Sequence, residues 1–179
     1  HTKRDGFMME HIRLPKSPYG DFGSRIGDKN MIRKATIDDI KDMQGLINFY
    51  AKTDRMLPRS LNELYENIRD FLVYEEDGRI IGCCALHIAW ENLAEVKSLA
   101  VEESKQKKGI GAMLVKQALE DAKKLKVKRV FALTYAPSFF EKLGFKKIGH
   151  AELPHKIWSE CIKCIKFPDC EEIALVRDI

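Results

Sequence analysis

The stretch Val101-Glu102-Glu103-Ser104-Lys105-Gln106-Lys107-Lys108-Gly109-Ile110-Gly111-Ala112 decides how the rest of the chain is read. An apolar run ends at Val101, and a polar loop with Lys105, Lys107 and Lys108 follows. Ile110, Leu114, Ala118, Ala122 and Leu125 then recur at the spacing of one helix face. The pattern predicts a strand, a glycine-containing loop and a long amphipathic helix. Glycines at 109 and 111 let the backbone approach a ligand closely. The first turn of a helix carries unpaired N–H groups and a partial positive charge, which together make an anion site. The lysines add a field favourable to a polyphosphate. A glycine turn beside a solvated charge run is the plainer reading of the same residues. The strand before, the helix after and Gln106 three residues ahead of Gly109 favour the anion site. The loop lacks the Gly-Lys-Ser or Gly-Lys-Thr ending of a Walker loop. Its glycines are also spaced differently from the dinucleotide fingerprint.

Upstream of the loop, Met31 opens a strand that leads into a helix. Thr36 with Asp39 marks the helix start, and Ile37, Ile40, Met43, Ile47 and Tyr50 mark its apolar face. Ser60 with Glu63 forms a capping box for a second helix running through Arg69. Phe71 to Tyr74 and Arg79 to Ala89 read as strands joined at Asp77-Gly78, a hairpin turn. Ala94 to Val101 is the strand entering the loop. Downstream of the long helix, Arg129 to Thr134 is a buried strand and Pro137 starts a short helix. Gly144-Phe145 turns into another strand, and Glu172 to Val176 is the last. The fold class is α/β (α+β), with a strand-helix-strand unit at its centre.

The chain of 179 residues is long enough for one domain with a sizeable core. Its 45% hydrophobic and 32% charged residues are those of an ordinary globular protein. No apolar run is long enough to span a bilayer, so no membrane partner is expected. The formal net charge of +4 suits an anionic small ligand. A nucleic-acid binder would gather more lysine and arginine on one face, so no nucleic acid is expected. Residues 1–30 carry little helical or strand periodicity, Leu14 to Gly23 is rich in turn formers, and the segment reads as an N-terminal arm or tag, with the domain running from 31 to 179. No secretory signal is visible, and a reducing cytoplasmic setting is the expectation. A homodimer is compatible with these features.

Q-x-x-G-x-G between a strand and a long helix resembles the acetyl-CoA motif of the GNAT superfamily of N-acetyltransferases. Phe139-Phe140-Glu141-Lys142-Leu143-Gly144-Phe145 resembles that family's closing Y-E-K-L-G-F segment, and the resemblance spans about Met31 to His150. It implies a mixed, mostly antiparallel central sheet flanked by helices, with acetyl-CoA as co-substrate. It also implies that Leu99, Ala100, Val101 and the segment Gln106, Lys107, Lys108, Gly109, Ile110, Gly111 and Ala112 hold coenzyme A. The family commonly has tyrosine where Phe140 stands, and that tyrosine often protonates the leaving thiolate. Phe140 cannot do so. Tyr135, just past a strand end, is the candidate acid, with a half-buried aromatic as its plainer reading.

Leu57-Pro58-Arg59-Ser60-Leu61-Asn62-Glu63-Leu64, Ala94-Glu95-Val96-Lys97 and Leu153-Pro154-His155-Lys156-Ile157-Trp158 resemble the short bacterial N-acetylglutamate synthases. In that family the residues matching Arg59 and Lys97 bind the substrate's carboxylates, which implies L-glutamate as acceptor and a place in arginine biosynthesis. Arginine suits bidentate recognition, and lysine acts as a point charge. Glu95 stands where several GNAT enzymes carry a general base. An amine acceptor must lose a proton before it attacks a thioester. Glu95 and Lys97 share a strand face, so a structural ion pair between them is the alternative. Direct attack in a ternary complex is expected, because Cys83 and Cys84 sit in an apolar run with no evident base. Acetylation of another amine, or a non-catalytic acyl-CoA-sensing or metal-binding module, are the competing readings.

His155, Cys161, Cys164 and Cys170 form H-x5-C-x2-C-x5-C within a cysteine-rich extension of about 153–179. The spacing suits a structural zinc, although the ligands are lopsided. Free buried thiols are the equal alternative.

Overall fold

The computed structural model describes residues 30–154 and 170–179. Among them run β1 (Asn30–Lys34), α1 (Ile40–Ala51), α2 (Leu61–Glu66), β2 (Phe71–Glu76), β3 (Arg79–Trp90) and β4 (Leu93–Val101). They are followed by α3 (Ile110–Lys124), β5 (Arg129–Thr134), α4 (Pro137–Glu141), β6 (Lys146–Lys147) and β7 (Ile173–Asp178). The seven strands among these residues form one sheet in the order β1-β2-β3-β4-β5-β7-β6. Every neighbouring pair is antiparallel except β4 and β5. That parallel pair is bridged by α3, the crossover connection that parallel strands require.

Side-chain alternation sorts the strands onto two helical layers. Leu72, Cys84, Leu86 and Val96 join Leu114, Val115 and Ala118 of α3 in one core cluster. Val73, Cys83, Ala85 and Ala100 join Met43, Ile47 and Tyr50 of α1 in the other. Adjacent cysteines thus serve opposite faces of the sheet, as the strand period demands.

Local signals account for most element ends. Thr36 and Asp39 cap as expected, but they open a 3-10 turn over Ile37–Asp39 before α1 begins at Ile40. Ser60 and Glu63 form the predicted capping box. The second helix ends at Glu66 instead of reaching Arg69, and a 3-10 turn over Ile68–Asp70 completes the segment. The Asn67 side chain donates to the Glu63 carbonyl at 2.8 Å, taking up an acceptor at the helix end.

Two features open the sheet. The β4–β5 register covers only Leu93–Arg129, Ala94–Val130 and Glu95–Phe131. Beyond Glu95, β4 stays with β3 while β5 follows β7 to its end. A bulge accompanies the parting: Cys83 faces Ala100 and Ala85 faces Lys97, leaving Ser98 and Leu99 opposite Cys84 alone. Ser98 takes a left-handed φ of 51°, uncommon for a residue with a side chain. Such an extra residue bends its strand and adds twist. The end of β4 turns away from β5, and a wedge opens between them.

Candidate active site

A cleft of about 1270 Å³ occupies the wedge. Its walls bring together distant stretches, among them Arg55–Arg59 with Glu63, Glu95–Leu99 with Val101, Lys105–Lys107 with Gly109–Ala112, Leu133–Ala136, and Phe139 and Phe140 of α4. The predicted site residues Arg59, Glu95, Lys97, Leu99, Val101, Gln106, Lys107, Gly109, Ile110, Gly111, Ala112 and Tyr135 all line it. Ala100 and Lys108 do not. Ala100 is buried in the α1 cluster, and Lys108 is exposed on the loop.

The loop after β4 is shaped by its own backbone. Lys107 and Gly109 have φ of 61° and 85°, and Gly109 is the N-cap of α3. Glycine alone enters that conformation without steric cost. No side chain caps this helix, and its first turn holds no acidic residue. The first α3 hydrogen bond runs from the Met113 N–H to the Gly109 carbonyl at 2.9 Å, so the N–H groups of Ile110, Gly111 and Ala112 precede the helical ladder. An uncapped helix start, a left-handed glycine and flanking lysines fit a bound pyrophosphate. At Gly111 a methyl group would meet the Phe139 ring at 3.5 Å, an ordinary contact, so nothing in the protein itself demands glycine there.

Gln106, on the cleft wall, also makes hydrogen bonds within the protein. Its side-chain amide donates to the Tyr50 hydroxyl at 2.8 Å and to the Val101 carbonyl at 3.2 Å. Tyr50 in turn donates to the same Val101 carbonyl. The motif glutamine therefore ties the loop to α1 and the end of β4. Burial raises the Tyr50 phenol above its ordinary range and keeps it a donor. Lys105, also on the cleft wall, is ion-paired with Glu76 of β2. The apolar spacing of α1 accounts for Tyr50 only as a core residue. No sequence spacing links it to a loop more than fifty residues away.

At the acceptor end, Glu95 Oε2 lies 3.5 Å from Lys97 Nζ, with the two side chains 14% and 23% exposed. The ion pair anticipated as the alternative is present, and both groups still face the cleft. Arg59 Nη1 lies 3.5 Å from Glu63 Oε1. The Ser60 N–H, donating to Glu63, holds that carboxyl below its usual range. Tyr135 borders the cleft just beyond β5 and is 38% exposed. Phe140 also reaches the cleft wall but is otherwise buried, edge-on to Phe139 and Phe145 at centroid distances of 5.1 and 5.3 Å. Cys83 and Cys84 are fully buried. Burial pushes the Cys83 thiol up to about 12 and raises Cys84 as well, so neither supplies a thiolate at neutral pH.

Of the proposed zinc ligands, His155, Cys161 and Cys164 lie outside the described residues. Cys170 is exposed, borders the cleft and donates to Glu172 at 3.8 Å. Among the described residues no group of three or more histidine, cysteine or acidic side chains is placed to hold a metal. Nor is any described helix long and apolar enough to cross a membrane.

A mostly antiparallel sheet parted at one parallel pair, with an uncapped glycine loop at the parting, defines a class of group-transfer enzyme. Residues 37–145 match the Acetyltransferase (GNAT) family, and the chain belongs to it; it is an N-acetyltransferase. It is 39% identical over 148 residues to an uncharacterized N-acetyltransferase of Chlorobaculum tepidum, covering 83% of this chain and 96% of that protein. It is 32% identical over 133 residues to the amino-acid acetyltransferase of Mycobacterium tuberculosis, covering 73% of this chain and 76% of the relative. The N-acetylglutamate synthase of Neisseria gonorrhoeae, complexed with coenzyme A and N-acetyl-glutamate, superposes with a TM-score of 0.77 at 28% identity. That match covers 83% of this chain but only 35% of the longer synthase.

Proposed function

We propose that this enzyme transfers the acetyl group of acetyl-CoA to the α-amine of L-glutamate, the reaction that opens arginine biosynthesis. One observation carries the reading: Arg59 and Lys97, far apart in sequence, reach the same cleft as the glycine loop. Two such cations suit the two carboxylates of a dicarboxylate. The similarity to amino-acid acetyltransferases and to a synthase complexed with N-acetyl-glutamate supports the same acceptor class.

In this reading the amides of Gly109–Ala112 hold the pyrophosphate, with Lys107 and Lys108 adding field. The end of β4, where Leu99 and Val101 line the cleft, lies along the rest of coenzyme A, and an amide near Leu99 steadies the carbonyl oxygen as charge develops on it. Arg59 grips one substrate carboxylate in bidentate fashion, and Lys97 meets the other as a point charge. Glu95 removes the ammonium proton directly or through a water. Tyr135 is the nearest counterpart of the usual acid and protonates the departing thiolate.

A thiol-release assay with acetyl-CoA and a panel of amino acids, polyamines and N-terminal peptides tests the substrate. Glutamate is expected to give the highest kcat/KM, and a clear preference for another amine removes it. Glu95→Gln is expected to lower kcat by about 10²–10⁴. Full activity in that variant across pH would take Glu95 out of the mechanism.

A further inference from the structure

Arg59 lies in a segment of irregular backbone, between α1 and the cap of α2. A residue there has no ladder to fix it, yet a guanidinium that reads a carboxylate must be held to a fraction of an ångström. Its main chain is held by side chains of α1. The Arg59 N–H donates to Asn48 Oδ1 at 2.9 Å. The Arg59 carbonyl accepts from Asn48 Nδ2 at 3.1 Å and from Gln44 Nε2 at 3.1 Å. One asparagine thus satisfies both backbone groups of the same residue, as a neighbouring strand would, and uses both ends of its amide. Gln44 and Asn48 are four apart and so share a face of α1. Both are half-buried, which strengthens the bonds and makes their loss costly.

Tyr50, two residues on, holds the coenzyme loop through Val101 and Gln106. The C-terminal half of α1 therefore carries two separate fastenings, one for each side of the cleft.

We infer that Asn48, assisted by Gln44, is a positioning residue for acceptor recognition: its amide clamps the Arg59 backbone and aims the guanidinium into the cleft. The inference rests on the reading of Arg59 as a carboxylate-binding group. It makes α1, which supplies none of the side chains expected to touch the substrate, a determinant of acceptor affinity.

Steady-state kinetics with L-glutamate and acetyl-CoA, alongside melting temperature, test it on Asn48→Ala, Asn48→Asp, Arg59→Ala and the Asn48→Ala/Arg59→Ala double variant. Asn48→Ala is expected to raise KM for glutamate about tenfold while KM for acetyl-CoA stays within about twofold. Asn48→Asp keeps the acceptor but puts an anion against the Arg59 carbonyl, and is expected to raise KM for glutamate as well. In the Arg59→Ala background, Asn48→Ala should add less than about twofold, because residues acting through one another are not additive. A fall in melting temperature with KM for glutamate unchanged overturns the inference. So do equal rises in both KM values, or fully multiplicative effects in the double variant. If Arg59→Ala itself leaves KM for glutamate unchanged, the reading of Arg59 fails and the clamp fails with it. A shift in Arg59→Ala without one in Asn48→Ala or Asn48→Asp removes the clamp alone.

Discussion

Gly109 shows how much one residue's backbone can decide. Its φ of 85° places it where any side chain meets its own carbonyl, and it stands at the start of the helix that closes the cleft. A methyl group there would touch nothing else within 4 Å, so the cost of a substitution is purely conformational. Gly109→Ala is expected to lose about 1–2 kcal/mol of stability and to raise KM for acetyl-CoA several-fold. Thermal denaturation and initial-rate kinetics check the two halves. Gly111→Ala has room against Phe139 and a right-handed helical setting, so any rise it causes in that KM reports crowding of the ligand and not of the protein. Glycine spacing was legible because a turn before a helix leaves few residue choices. The inward turn of Gln106 onto Tyr50 was not, because hydrogen-bond partners over fifty residues apart leave no trace in local pattern.

Elements were legible where their signals are local. The 3.6-residue period of α3, the capping box at Ser60 and the hairpin at Asp77-Gly78 all fall where residue spacing puts them. The tie at the start of α1 was not visible. Arg33 of β1 donates two hydrogen bonds to Asp39, at 2.7 and 2.8 Å, and a third to Glu75 of β2 at 2.8 Å. Asp39 is the one charged or polar residue that is buried among the described residues. The Arg33 guanidinium holds its carboxyl below the ordinary range, and the Thr36 N–H adds to this. A depressed native value means that the stabilisation is present above the unfolded value of about 3.9 and fades as pH falls through the native one. Asp39→Asn is therefore expected to cost about 2 kcal/mol at pH 7 and progressively less below about pH 4. Urea unfolding at pH 7 and pH 3 measures the difference. An equal loss at both would mean that packing, not charge, holds the junction.

At the scale of the molecule, the cleft exists because β4 and β5 separate after three paired residues. Cys83 and Cys84 lie sealed within the sheet's two cores, away from any wall of the cleft. The proposed direct transfer predicts that initial-velocity plots with acetyl-CoA and the acceptor varied together intersect. Parallel lines would instead require an acetylated enzyme.

The sequence by itself determined the order of elements, the glycine loop and its helix, and the family to which the chain belongs. Each of these depends on neighbours within a turn or a strand, where spacing and residue type are sufficient. Only the tertiary structure decided which residues share a cleft. The bulge at Ser98 bends β4 away from β5, and the amides of Gln44 and Asn48 fasten Arg59 beside it. Those outcomes follow from contacts between segments distant in the chain, whose chemistry is fixed only once packing has brought them together.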